Sequence, residues 1–171
     1  MLFLYLLIGI ILLVALTQLL PAKIRVERSL FMAAPAATIF SLVNNLEKWP
    51  SWMPWAKFDP TTKYEFFNGG IGKGAYYTWD STHKKVGNGK LTILESEPNS
   101  HLKTQLDFGN QPNPGYGGWR FEETEGGTNV TWSMDADMGR NPIGRVFGLF
   151  FDKMLGPQFE EGLQNLKDKV E

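Results

Sequence analysis

The sequence predicts an α+β fold: a strongly curved antiparallel sheet wrapped on one long C-terminal helix, with a single apolar helix preceding it. Three observations predict this. Leu2 to Leu20 runs without one charged residue. Between Lys63 and Met138, six stretches of strand character follow one another, parted by turn residues. From Asn141 to the end, apolar residues recur at intervals of three and four, as on a helix with one buried face.

The first segment, "LFLYLLIGIILLVALTQLL", would span about 28 Å as a helix, close to the hydrocarbon thickness of a bilayer. Pro21 ends it. No basic stretch precedes it, it is longer than a usual signal-peptide core, and Leu20, two before Ala22, breaks the small-x-small cleavage pattern. Residues 1–22 are therefore read as a transmembrane anchor. Lys23, Arg25 and Arg28 follow, so the positive-inside tendency places residues 23–171 on the cytoplasmic face of a single-pass membrane protein. Pro21, Ala22 and Lys23 reach at most about 10 Å, which holds the domain against the bilayer.

After the anchor, Ile24, Val26 and Arg28 alternate with Arg25, Glu27 and Ser29, as in a strand with one mixed face. Pro35 suits a helix first turn, and Ile39, Phe40 and Val43 share one helical side. The loop "WPSWMPW" at 49–55 follows, closed by the turn signal Asp59-Pro60. Strands are expected at Lys63–Asn68, Gly74–Ser81, Val86–Glu97, Ser100–Phe108, Gly117–Glu125 and Thr128–Met138. A Gly/Asn/Pro-rich run at 109–115 separates the fourth from the fifth. Val130, Trp132, Met134 and Met138 face away from Thr131, Ser133, Asp135 and Asp137, so the sheet has one apolar side and one wet side. Asn141 can cap the terminal helix, with Pro142 at its first position. Ile143, Phe147, Phe150 and Met154 are spaced 4, 3, 4, and so are Phe159, Leu163, Leu166 and Val170. Gly156-Pro157 lies between the two sets and predicts a kink or a short break.

Composition narrows the chemistry. With 171 residues, 43% hydrophobic, the chain supports one domain with a real core. Its 17 basic and 18 acidic residues leave a net charge of −1, without the basic face that nucleic acid requires. Cysteine is absent, which removes disulfides, thiolate nucleophiles and cysteine metal sites. His83 sits in a polar turn and His101 opens a strand on its wet face, neither near a second ligand, so no metal or other cofactor is expected. "NGGIGKG" at 68–74 lacks the hydroxyl residue after Lys73 and precedes a strand, so it is no phosphate loop. "NVT" at 129–131 falls within a strand and is not read as a glycosylation site. Asp135 and Asp137 share the solvent side and are read as a solvated edge. On the apolar side the ionisable candidates are Tyr77 and Arg28, with Glu122 or Glu123 depending on register, and no catalytic residue is assigned.

Four segments carry a family resemblance: "VERSLFMAAPAATIFSLVNNLEKWPSWMPWAKFDP", "GNGKLTILESEP", "GTNVTWSMDADM" and "DKMLGPQFEEGLQNLK". In them the chain resembles the START-like (SRPBCC) superfamily, in its polyketide cyclase/dehydrase-like branch, from Lys23 to Glu171. The resemblance implies a helix-grip fold whose sheet and terminal helix enclose a hydrophobic cavity. It implies no particular reaction, because lipid carriers, hormone-binding proteins and aromatase/cyclases share the fold.

On that fold Trp49, Trp52, Met53 and Trp55 would lie at the cavity mouth, as a lid or as a core plug. The sheet would supply Tyr77, Trp79, Leu106, Phe108, Trp119, Phe121, Trp132 and Met134 as wall. Phe147, Phe150 and Met154 would add a helix edge at the mouth. The function expected is a membrane-anchored domain that binds an apolar small molecule or lipid. The alternatives are a cyclase/dehydrase-type or hydrolase enzyme using Tyr, Arg or Glu from the same cavity, and a protein-interaction domain with the Trp loop as contact.

Overall fold

The computed structural model of the chain describes residues 1–109 and 113–171, so the run expected at 109–115 lies partly outside the described residues. Helix α1 (Leu2–Thr17) leads into strand β1 (Lys23–Met32) and helix α2 (Ala36–Val43). Two 3-10 turns follow, Leu46–Ser51 and Pro54–Lys57. Then come β2 (Lys63–Phe67), β3 (Tyr76–Asp80), β4 (Asn88–Glu97), β5 (His101–Phe108), β6 (Gly115–Thr124) and β7 (Gly127–Asp137). Helices α3 (Pro142–Gly148) and α4 (Phe151–Val170) end the chain. The seven strands form one antiparallel sheet in the order β1-β7-β6-β5-β4-β3-β2.

Strand alternation decides which side of the sheet is covered. In β6 Gly115, Gly117, Trp119 and Phe121 are buried, and in β7 Val130, Trp132 and Met134 join them. Helix α4 lays Phe159, Leu163 and Leu166 onto that side, with Gly156 and Gly162 as its close-approach points. A Cβ at Gly162 would stand 2.7 Å from Trp132 Cζ3 and 3.3 Å from the Pro54 ring, so only glycine lets helix and sheet meet there. Asn141 caps α3 as expected, its Oδ1 accepting from the amides of Ile143 (3.0 Å) and Gly144 (3.1 Å), with Pro142 in the first turn.

Two expectations are corrected here. Among the described residues, no helix is long and apolar enough to cross a membrane. Helix α1 has 16 residues, about 24 Å against the roughly 30 Å of a hydrocarbon core. It stops at Thr17, where the amides of Gln18, Leu19 and Leu20 turn to the carbonyls three residues back and Pro21 has no N–H to continue the ladder; Arg145 Nη1 donates to the carbonyls of Gln18 (2.6 Å) and Leu20 (2.8 Å) just beyond. The transmembrane anchor over residues 1–22 falls, and with it the single-pass membrane placement and the cytoplasmic-face assignment.

The short break expected at Gly156-Pro157 is the second correction. Helix α4 runs on through Pro157, and the break lies earlier, at Leu149-Phe150. Gly156 stands where any side chain would strike the Arg28 guanidinium, so the contact with β1 governs this turn of α4.

Candidate functional site: an aromatic interior closed by the Trp loop

Between α2 and β2 the chain makes two short 3-10 turns in place of regular structure, as Pro50 and Pro54 require. Asn45 caps the first, its Oδ1 accepting from the Glu47 amide at 3.0 Å. The turns aim Trp49 and Trp52 into the domain, where they are 2% and 1% exposed. Trp49 Nε1 donates to the Val43 carbonyl at 2.7 Å. From α4, Asn165 Nδ2 donates to the Trp52 carbonyl at 2.9 Å, and Glu161 pairs with Lys57. The loop is strapped to the helix at two points.

The rings form one network. Trp119 and Trp132 are register partners on β6 and β7 and stack at 4.6 Å with 15° between planes. Trp132 stacks on Phe159 of α4 at 4.0 Å. Trp52 meets Trp119 edge to face at 5.7 Å and 90°, and Trp132 at 6.1 Å and 77°. Trp49 touches Trp52, Trp119 and Tyr77, while Trp55 stands edge-on to Trp132 and Phe159. Burying each indole removes up to about 250 Å², worth at most roughly 4–6 kcal/mol, so the loop contributes heavily to stability. Two surface grooves of about 290 Å³ lie elsewhere, one beside Pro35 and Gly127, the other around Gly118 on the outer side of the sheet.

Of the residues expected at the site, Trp49, Trp52, Tyr77, Trp79, Trp119, Phe121, Trp132 and Met134 are buried in this interior. Met53, Trp55, Leu106 and Phe108 pack against it half-buried, as a rim. Phe147, Phe150 and Met154 are not brought to it and stand 57%, 55% and 55% exposed. In α4 the residues in phase with Phe159 are Phe151 and Leu155, which pack on the interior, so Met154 falls off that face, while Phe147 and Phe150 lie in α3 and at the break before α4.

Sequence reasoning left Phe159, Gly162 and Asn165 out of the site. Phe159 was legible as part of the buried helical face, and Gly162 as a small residue one turn further on. Nothing local marks Asn165.

Polar groups within the interior are few. The Tyr77 phenol is pushed up by burial, as is the half-buried Tyr64 phenol beside it, so both remain protonated donors near neutral pH. Arg28, the other interior candidate, is held at the edge between β1 and α4. Its Nε donates to Glu160 at 2.6 Å, and Nη1 and Nη2 donate to Asp152 at 2.8 and 3.0 Å. These bonds raise the Arg28 pKa and hold the Asp152 carboxyl below its ordinary range. Glu122 and Glu123 are exposed, Glu122 near Arg120 and Glu123 accepting from the Ala36 amide at 3.2 Å. His83 stacks on Phe58 and His101 faces Glu95 across 3.6 Å, both away from the interior.

Among the described residues two buried indole N–H groups, Trp52 Nε1 and Trp119 Nε1, have no hydrogen-bond partner. Trp49 and Trp79 do, Trp79 donating to the Val86 carbonyl at 3.2 Å. An unsatisfied buried donor costs about 1–3 kcal/mol, so each of these N–H groups has a capacity for an acceptor that the protein does not fill.

A curved antiparallel sheet closing on a C-terminal helix around an aromatic interior defines a helix-grip domain. The chain belongs to the polyketide cyclase/dehydrase and lipid transport family, whose model matches residues 23–171. Truncated norcoclaurine synthase from Thalictrum flavum has the same fold at a TM-score of 0.68 and 16% identity, over 86% of this chain and 93% of that one. The di-domain ARO/CYC StfQ from the steffimycin biosynthetic pathway superposes at 0.67 with 14% identity, over 87% of this chain and 51% of that one. Protein CV1439 from Chromobacterium violaceum superposes at 0.60 with 14% identity, over 88% and 97%. No curated protein sequence matches the chain.

Proposed function

We propose that this protein binds an apolar small molecule or lipid between the inner side of the sheet and α4. The carrying observation is the continuous ring wall from Tyr77 through Trp49 and Trp119 to Trp132 and Phe159, closed over by an irregular loop where a helix or strand could have sealed it. Pockets of this kind are mostly apolar, with a few placed polar groups, here the Tyr77 phenol and two indole N–H groups. Membership in a family described by polyketide cyclisation, dehydration and lipid transport supports an apolar cargo. A reaction at this site needs two converging polar groups able to exchange a proton. The ionisable groups on the wall are the phenols of Tyr77 and Tyr64, so binding is the reading the geometry favours.

Native mass spectrometry of the full chain, purified gently from cells, tests this. The expected result is a one-to-one apolar adduct that solvent extraction recovers and that Trp132→Ala loses while keeping its circular dichroism. A clean unliganded mass, unchanged after incubation with anthrone and with phospholipid, overturns the proposal.

A further inference from the structure

Resting on the binding reading above, we propose that Trp52 is a displaceable plug, and that the slot it fills takes a flat fused-ring molecule whose acceptor oxygen is received by the indole N–H of Trp119. The two unpartnered donors belong to two rings standing edge to face against each other, 5.7 Å apart between centroids. Both residues are at most 2% exposed, so bulk water does not reach them. An aromatic face is a much weaker acceptor than an oxygen, so their mutual contact leaves the deficit standing. Buried donors in native proteins are nearly always paired, and a pair of orphans in one place calls for a missing acceptor.

The two residues differ in what holds them. Trp119 lies within β6, paired with Leu102 on one side and Trp132 on the other, and stacked on the Trp132 ring. It cannot leave without opening the sheet. Trp52 ends a 3-10 turn, between Pro50 and Pro54, and its hydrogen bond to the rest of the domain is the one Asn165 Nδ2 gives its carbonyl. That bond uses the backbone, so the Trp52 side chain is held by packing alone. Swinging it outward gives its N–H to water and leaves a slot of indole shape walled by Trp49, Trp119 and Trp132. The closed state carries two unsatisfied donors. Opening satisfies one, and a ligand with an acceptor oxygen satisfies the other.

The test compares 1-indanone with indane, bicyclic molecules of one shape that differ by a carbonyl oxygen, by ligand-observed NMR titration of the full chain. We expect 1-indanone to bind about tenfold or more tightly than indane, and the preference to fall within about twofold in Trp119→Phe, which keeps the ring and removes the donor. Trp52→Ala should tighten both ligands by about tenfold while preserving the preference, because the slot is already empty. Hydrogen exchange at Ser51–Met53 in the unaltered chain should quicken when 1-indanone binds, a readout independent of whether any variant folds. Equal binding of the two molecules overturns the acceptor role of Trp119 and leaves the cavity reading standing. Slower or unchanged exchange at Ser51–Met53 overturns the plug. Binding of neither molecule to the unaltered chain or to folded Trp52→Ala overturns both this proposal and the reading beneath it.

Discussion

The ring of Trp132 on β7 lies flat on that of Phe159 on α4, with centroids 4.0 Å apart and planes 3° apart. This stack fastens the helix to the middle of the ring network, since Trp132 also stacks on Trp119 and meets Trp52 and Trp55 edge-on.

Phe159→Ala should therefore cost about 3–5 kcal/mol in urea unfolding, the range for deleting a buried aromatic ring. A loss below about 1 kcal/mol would mean that the sheet grips α4 elsewhere.

Gly162→Ala sets two effects in opposition. Alanine favours an α-helix over glycine by about 1 kcal/mol. Its methyl would meet Trp132 Cζ3 at 2.7 Å and the Pro54 ring at 3.3 Å, with both partners fixed by packing. Overpacking costs about 1–3 kcal/mol, so net destabilisation is expected in thermal unfolding, with a perturbed near-ultraviolet Trp spectrum. A raised Tm would show that α4 moves freely at this point.

Burial raises the Tyr77 pKa, so the folded state holds the phenolic proton where the unfolded chain releases it. Above the ordinary value near 10 the unfolded state binds fewer protons, and stability falls as pH rises. The slope from one such group is about 1.4 kcal/mol per pH unit until the folded-state phenol also ionises. Tyr77→Phe should flatten the stability curve above pH 10 and leave it unchanged at pH 7. Parallel curves for the two proteins would place this phenol in contact with water.

Asp152 is depressed by its hydrogen bonds from Arg28. A lowered carboxyl contributes stability that is complete above its unfolded value near 3.8 and is lost as pH falls through the folded value. Asp152→Asn should lower stability modestly between pH 6 and 8, the Asp152 side chain being exposed, and remove the matching part of the acid sensitivity below pH 4. Chemical denaturation at pH 3 and pH 7 checks this.

Asn165→Ala deletes the bond to the Trp52 carbonyl. Faster hydrogen exchange confined to residues 49–55, with global stability lowered by about 0.5–1.5 kcal/mol, is expected. Unchanged exchange there would mean that ring packing alone keeps the loop shut.

Much of the domain can be read along the chain because its signals are local. The period-two pattern of Val130, Trp132 and Met134 and the period of Phe159, Leu163 and Leu166 name the two buried surfaces, and both are buried as read. The order of one strand, a short helix, six strands and a terminal helix also stands. The motifs of residues 23–171 carried the family, which the family match now shows.

The misreadings share one cause. Hydropathy sees an apolar run from Leu2 to Leu20, while the helix closes after Thr17 in a tighter turn whose outgoing carbonyls, of Gln18 and Leu20, are taken by Arg145 more than a hundred residues away. Spacing counted across Phe147, Phe150 and Met154 named a helical stripe, but α4 docks by the face that carries Phe151, Leu155 and Phe159, which leaves that stripe outward.

By itself, then, the sequence determined which residues seek burial and at what period, because those preferences belong to each side chain and its near neighbours. Only the tertiary structure decided which indoles find an acceptor. Trp49 reaches the Val43 carbonyl, while Trp52 and Trp119 meet each other's rings. A hydrogen bond depends on ångström placement of groups brought together from distant strands, and no local pattern encodes that distance.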